Sequence, residues 1–150
     1  MRISFLLHNG YHYGGTIRTT FTLAEQLAER HEVEIVSVFR HRDRPRLGLP
    51  SGVTLRHLVD LRADGPGYDG DHPDFHRPAR VFPRGDGRWK QYSALTDARI
   101  GEHLRGVEAD VLVGTRPGLN VHRARQGGPG PRLVARGHLI LDGLSRPQRR

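Results

Sequence analysis

The residues best suited to chemistry sit near the start of the chain, in the run His8-Asn9-Gly10-Tyr11-His12-Tyr13-Gly14-Gly15-Thr16-Ile17-Arg18. Two adjacent glycines let a backbone approach a ligand with no side chain in the way. If a helix begins at Thr16, the amides of Thr16 and Ile17 lie open at its N-terminus, where the helix dipole favours an anion such as phosphate. Arg18, in the first turn, adds a guanidinium able to grip phosphate or carboxylate through two hydrogen bonds. His8 and Asn9 stand where a strand gives way to this loop and are expected to line an acceptor pocket. A glycine pair also suits a turn that is simply tight, so the residues alone leave both readings open. The dinucleotide fingerprint GxGxxG is missing, and Glu32 or Glu34 alone does not replace it.

Regular elements must hold these groups in place. Arg2 to His8 is a nearly continuous apolar run, as a strand buried on both faces requires. Thr16 is placed to cap the next helix, in which Ile17, Phe21, Ala24, Leu27 and Ala28 recur at helical spacing, with Leu23 on the flank. Glu25, Glu29 and Arg30 face outward, and His31 ends the helix where a cation meets the dipole favourably. Glu32 to Phe39 reads as a second strand, which completes a βαβ unit with a right-handed crossover. Val53 to Leu61 reads as a third strand after a basic loop closed by Pro50 and Gly52. Residues 62–87 collect glycine, proline, aspartate and arginine without a period and are expected to form a mobile loop. A helical pattern returns over Arg88 to Val107, with Glu102 and His103 expected on its exposed side. Ala109 to Gly114 is a short buried strand. Pro117 opens a helix to Gln126, Gly127 to Pro131 is a turn, and Leu133 to Ala135 is a last strand. Strands separated by helices indicate an α/β fold: a Rossmann-like open parallel sheet with helices on both faces.

Composition narrows the classes. The 150 residues suffice for one domain with a real core, although 35% hydrophobic and 27% charged residues make a lean one. With no cysteine there are no disulfides or thiolate metal sites, and a reducing cytosol is compatible. No apolar run approaches the ~20 residues that span a bilayer, so the expected place is cytoplasmic, with or without contact to the inner face of the membrane. The formal net charge is +8. Such a surface attracts anionic headgroups or nucleic acid. The opposing reading is a coding bias towards arginine, since Lys90 is the lone lysine. Nucleic-acid binding is set aside because no recognisable motif or aromatic interleaving accompanies the charge.

The first forty residues resemble the amino-terminal domain of retaining, GT-B-fold glycosyltransferases of family 4. The resemblance is carried by Gly14, Gly15, Arg18, Leu23, Ala24, Leu27, His31, Glu32 and Val33 at their spacing, and by the strand Ala-Asp-Val-Leu-Val-Gly running into Thr115-Arg116-Pro117. Arg30 departs from it, standing where a glycine is usual. What the resemblance implies is the acceptor-side half of an enzyme that transfers a sugar, with retention, from a nucleotide-sugar donor to a lipid-linked or polymeric acceptor. It also implies that His138, at the carboxyl end of a later strand, sits by the donor sugar and positions reacting groups. No cofactor is implied beyond the nucleotide-sugar as substrate. The glutamate-bearing donor domain of such enzymes has no counterpart in these residues. The expectation is therefore an incomplete GT-B unit over residues 1–142 with a disordered tail over 143–150, inactive without a carboxyl-terminal donor-binding domain or subunit. The rival reading is a non-catalytic Rossmann-like module that binds an anionic ligand or a membrane surface.

Other clusters promise less. His8, His12 and His57 lack carboxylates at ligand spacing, and His72 and His76, four apart near Asp71 and Asp74, lie in the glycine-proline stretch; no metal is expected. The run Arg40, His41, Arg42, Arg44 and Arg46 suits either a solvated loop or contact with phosphate headgroups.

Overall fold

Strand-forming and helix-forming runs alternate along the chain, and the strands assemble as the alternation demands. The computed structural model describes residues 1–126 and 132–135. Its strands are β1 (Arg2–Leu7), β2 (Glu32–Arg40), β3 (Val53–Asp60), β4 (Val111–Gly114) and β5 (Arg132–Ala135), and its helices α1 (Gly15–Leu27), α2 (Ala94–Gly106) and α3 (Pro117–Gln126). All strand pairs are parallel, in the order β3-β2-β1-β4-β5. The chain winds one way from β1 to β3, then returns to the other side of β1 for β4. That reversal puts the topological switch between β1 and β4, the place where open α/β sheets bind ligands at the carboxyl ends of their strands. The expected Rossmann-like α/β fold is what the chain adopts.

The period of two along β1 and β2 divides the core between two layers. Ile3, Phe5 and Leu7, with Val33 and Ile35, pack against Phe21 and Ala24 of α1. Leu6, Val36 and Val38 point the other way, onto Leu95, Ile100 and Leu104 of α2 and Leu119 of α3. Both faces of the sheet are therefore covered, which is why β1 reads as an unbroken apolar run. Each fully buried aliphatic or aromatic side chain in these layers contributes about 1.5–3 kcal/mol.

Several local expectations need correction. Thr16 does not cap α1: the N-cap is Gly14, and no side chain caps the helix there. Gly14 has φ 146° and ψ 173°, a conformation open essentially only to glycine, so the chain enters the helix two residues earlier than a threonine cap allows. At the other end α1 closes at Leu27, with Ala28 as C-cap, although the His31 amide still donates to the Leu27 carbonyl at 2.9 Å. The helical pattern from Arg88 is broken. A short 3-10 turn, Trp89–Gln91, precedes Ser93, which caps α2 through a reciprocal box with Thr96. His103 is buried at 7% exposure rather than exposed, because α2 turns that face towards the sheet.

Residues 62–87 contain a 3-10 turn, Pro73–His76, and otherwise irregular backbone. Side chains fasten this backbone in place of a ladder. The Asp97 carboxylate accepts hydrogen bonds from the amides of Arg80, Val81 and Phe82 at 2.7, 3.0 and 3.2 Å. His122 of α3 donates through Nε2 to the same carboxylate at 3.1 Å. Asp69 pairs with Arg99 of α2 at 3.0 Å, and Arg62 with the buried Asp60 at 2.7 Å. No helix of the described residues is long and apolar enough to cross a membrane.

Candidate functional site

The site is built around the carboxyl end of β1. Immediately after the strand, His8 and Asn9 turn the chain out of the sheet, and the Gly10 amide donates to the buried Ser37 hydroxyl of β2 at 2.8 Å. The loop then reaches Gly14 and enters α1. The first helical hydrogen bond runs from the Arg18 amide to the Gly14 carbonyl at 2.9 Å. The amides of Gly15, Thr16 and Ile17 lie ahead of it, at a helix start with no capping side chain.

These residues line one cavity of about 310 Å³. His8, Asn9, Gly14, Gly15, Thr16 and Ile17 form one wall, and Arg88, Gln91, Thr115 and Arg116 form the other. The second wall comes from the segment before α2 and from the end of β4, so the cavity straddles the switch between β1 and β4. Thr115 is fixed by donating its hydroxyl to the Leu6 carbonyl at 2.8 Å. Arg116 is held by the buried Asp86 at 2.6 Å. Asp86 also accepts from the amides of Arg88 at 2.9 Å and Gly118 at 3.0 Å. Burial opposes ionisation of Asp86, but these bonds outweigh it and hold its carboxyl below the usual range. Gly118 is needed here, since a Cβ on it would run into the Phe82 ring.

His8 joins the two walls. Its Nδ1 lies 2.8 Å from the Tyr92 hydroxyl and its Nε2 3.1 Å from Gln91 Oε1. With Oε1 as acceptor, Nε2 carries the proton and Nδ1 accepts from Tyr92. Burial, then the nearby Arg88 and Arg116 guanidiniums, lower the imidazole from its ordinary value to about 4. His8 is thus neutral at physiological pH with both ring nitrogens engaged, which suits it to positioning rather than to proton transfer. Tyr92 is itself clamped against Phe82, the rings stacked nearly parallel with centroids 3.6 Å apart. The Asp97 carboxylate that grips the Phe82 amide therefore supports the cavity wall from behind.

Of the residues singled out from the sequence, His8, Asn9, Gly14, Gly15 and Thr16 converge on this cavity. Arg18 is exposed and does not line it. His138 lies outside the described residues, as do the 127–131 turn and the 143–150 tail. Arg88, Gln91, Thr115 and Arg116 escaped sequence reasoning. Thr115 and Arg116 carried a usable signal, because they follow a buried strand at its carboxyl end. Arg88 carried none. The histidines considered for metal are dispersed: His12 lies against His41 and Tyr13, and His57 meets Tyr11 edge-on. Among the described residues no three His, Asp or Glu side chains gather around a common point. In the basic loop, Arg40 and Arg46 lie over the rings of Tyr11 and Tyr13 at 4.9 and 5.6 Å.

Fold and cavity together define a Rossmann-like α/β unit with an anion-compatible pocket at its topological switch. No family model matches the chain. Over 125 residues it is 34% identical to a protein of Streptomyces coelicolor named exopolysaccharide phosphotransferase. That alignment takes in 79% of this chain but 13% of the longer relative, so the chain corresponds to a small part of it.

Proposed function

We propose that this chain is the acceptor-side part of a sugar transferase, and that the cavity between β1 and β4 holds a phosphate or other anionic group of the sugar ligand. The observation that carries this reading is the convergence of the uncapped start of α1 with Arg88 and Arg116 on one cavity whose lining, among the described residues, contains no carboxylate. Backbone amides and the dipole attract the anion, and the two guanidiniums add charge-assisted bonds. The printed name of the Streptomyces coelicolor relative supports a transferase that handles an exopolysaccharide.

In the finer form of the reading, the complete enzyme is a retaining GT-B glycosyltransferase. It takes a nucleotide-sugar as donor and a lipid-linked or polymeric glycan as acceptor, and the donor is held by a carboxyl-terminal part or subunit. His8 then orients the wall that meets the ligand, and His138 is the residue assigned to the sugar-transfer centre. His138→Ala in the complete enzyme is expected to cut turnover far more than acceptor affinity; equal losses in both would remove that assignment.

The relative's name favours a close variant in which the group transferred is a sugar phosphate. Phosphorus NMR separates the two. Sugar transfer from a nucleoside diphosphate sugar releases the nucleoside diphosphate, whereas sugar-phosphate transfer releases the monophosphate. A non-catalytic anion-binding module is the remaining reading, favoured by the engagement of both His8 nitrogens. Neither nucleotide product would appear in that case. Inorganic phosphate tests the shared basis of all three. Arg88→Ala should weaken its binding about tenfold or more, in line with the loss of one charge-assisted contact. An unchanged affinity would sink the site.

A further inference from the structure

A second groove opens beside the cavity. It has a volume of about 520 Å³ and is lined by Phe75, Trp89 and the buried Tyr92 together with Gln91, Arg77 and Lys90. Gln91 and Asn9 line both spaces, so the groove continues from the candidate site. Its chemistry differs from that of the first. A pyranose ring has a C–H face that packs on aromatic carbon and a rim of hydroxyls that amides can read. The groove offers both kinds of surface. It also carries cations with no carboxylate among its described lining residues. Lys90 has no acidic partner among the described residues. Exposed Arg77 has a half-exposed one, Asp74 at 3.6 Å, in a surface pair of the kind that contributes little and leaves the guanidinium available to a ligand. Arg84 lies over the Trp89 ring at 4.9 Å and adds positive potential next to the groove.

We infer that this groove is a subsite for an acidic sugar unit of the acceptor chain, with the ring against Trp89 and Phe75 and its acid group on Lys90 and Arg77. The inference rests on the proposed reading as an acceptor-side domain and deepens it, by naming an anionic rather than a neutral glycan. The acid can be a uronic carboxylate or a phosphate ester, since both present a compact anion to the same two cations. The continuity through Gln91 places this unit next to the group held in the first cavity. An extended acceptor would then occupy both.

Trp89 is the single tryptophan of the chain, so its fluorescence reports on this groove alone. Three probes are titrated into the whole chain: a galacturonic acid tetrasaccharide, its neutral methyl ester, and a mannose oligosaccharide carrying a 6-phosphate. A saturable change is expected with at least one of the acidic probes, at an affinity about tenfold or more above that for the ester. Whichever acid binds better identifies the source of the anion. The double variant Arg77→Gln, Lys90→Gln should lose the preference, and the charge-keeping Arg77→Lys, Lys90→Arg should retain it. An equal response to the ester, or none to any probe, overturns the inference. Inorganic phosphate, followed at the amides of Gly14 to Ile17, is an independent control. If those amides respond while Trp89 stays silent, the groove assignment alone fails. If Trp89 responds while the amides are silent, the anion cavity fails and the groove stands.

Discussion

At the scale of single residues, Gly14 and Gly15 look alike in sequence but do different work. Gly14 has a positive φ that strains any side chain, whereas Gly15 has ordinary backbone and open space around it. Gly14→Ala should therefore lower stability by about 1–3 kcal/mol, measured by urea denaturation. Gly15→Val should leave stability nearly intact while placing a side chain in the cavity, so phosphate binding falls. A stable Gly14→Ala variant would contradict the backbone assignment. His103 gives a second residue-scale outcome. Arg56 donates to its Nδ1 at 2.9 Å, and its Nε2 is buried without a partner among the described residues. Burial first, and Arg56 second, lower its pKa to about 4. His8 is lowered to a similar value. Both therefore take up protons in the unfolded chain, near pH 6.5, before the folded one. Their folded pKa values lie below the unfolded value, so stability holds above about pH 6.5 and declines as pH falls towards 4. His103→Gln keeps an acceptor for Arg56 and removes the titration. The loss of stability from pH 7.5 to pH 5 should shrink by about 1–2 kcal/mol in that variant. An identical loss in both proteins would show that His103 does not titrate as described.

At the scale of elements, the site depends on a segment with no strand or long helix of its own. Asp97 on α2 satisfies three amides of residues 80–82 and the His122 ring, and so holds Phe82 against Tyr92 behind His8. Asp97→Ala leaves all of these groups unpaired and should cost about 3–5 kcal/mol. Hydrogen exchange should accelerate at Arg80 to Phe82, and unchanged protection there would refute the role. Ser93→Ala removes only the cap of α2 and should cost about 1 kcal/mol. The same contrast explains what could be read in advance. The βαβ start, β4 and α3 announce themselves through local periodicity, since each buries a face set by neighbours in sequence. Asp86 and Arg116 are thirty residues apart, and Asp97 and His122 twenty-five. Pairings at that range leave no spacing signature. Ser93 caps α2 inside the helical pattern that begins at Arg88, so periodicity hides the cap. Half of the cavity wall was visible because it follows β1 directly. The other half comes from a loop whose positions are set by those distant pairings.

At the scale of the whole molecule, the two ends of the sheet differ in charge. At the amino ends of the strands, cations are matched: Arg2 with Glu32 and Glu108, and Arg56 with Glu34. At the carboxyl ends, Arg62 and Arg116 are paired with Asp60 and Asp86, whereas Arg88 and Lys90 face the two cavities without a carboxylate in either described lining. A formal net charge of +8 thus has a local expression where the ligand is expected. Phosphate affinity should fall several-fold between about 20 and 200 mM salt, as screening shortens the reach of these charges. Salt-independent binding would place the anion elsewhere. The relative extends far beyond the part that this chain matches, which is 13% of its length.

The most direct test of the central claim is an amide proton–nitrogen NMR titration of the chain with inorganic phosphate. Saturable shifts should concentrate at Gly14, Gly15, Thr16 and Ile17 and weaken sharply in Arg88→Ala. Shifts scattered over the basic loop at residues 40–46, with Gly14 to Ile17 unmoved, would contradict it.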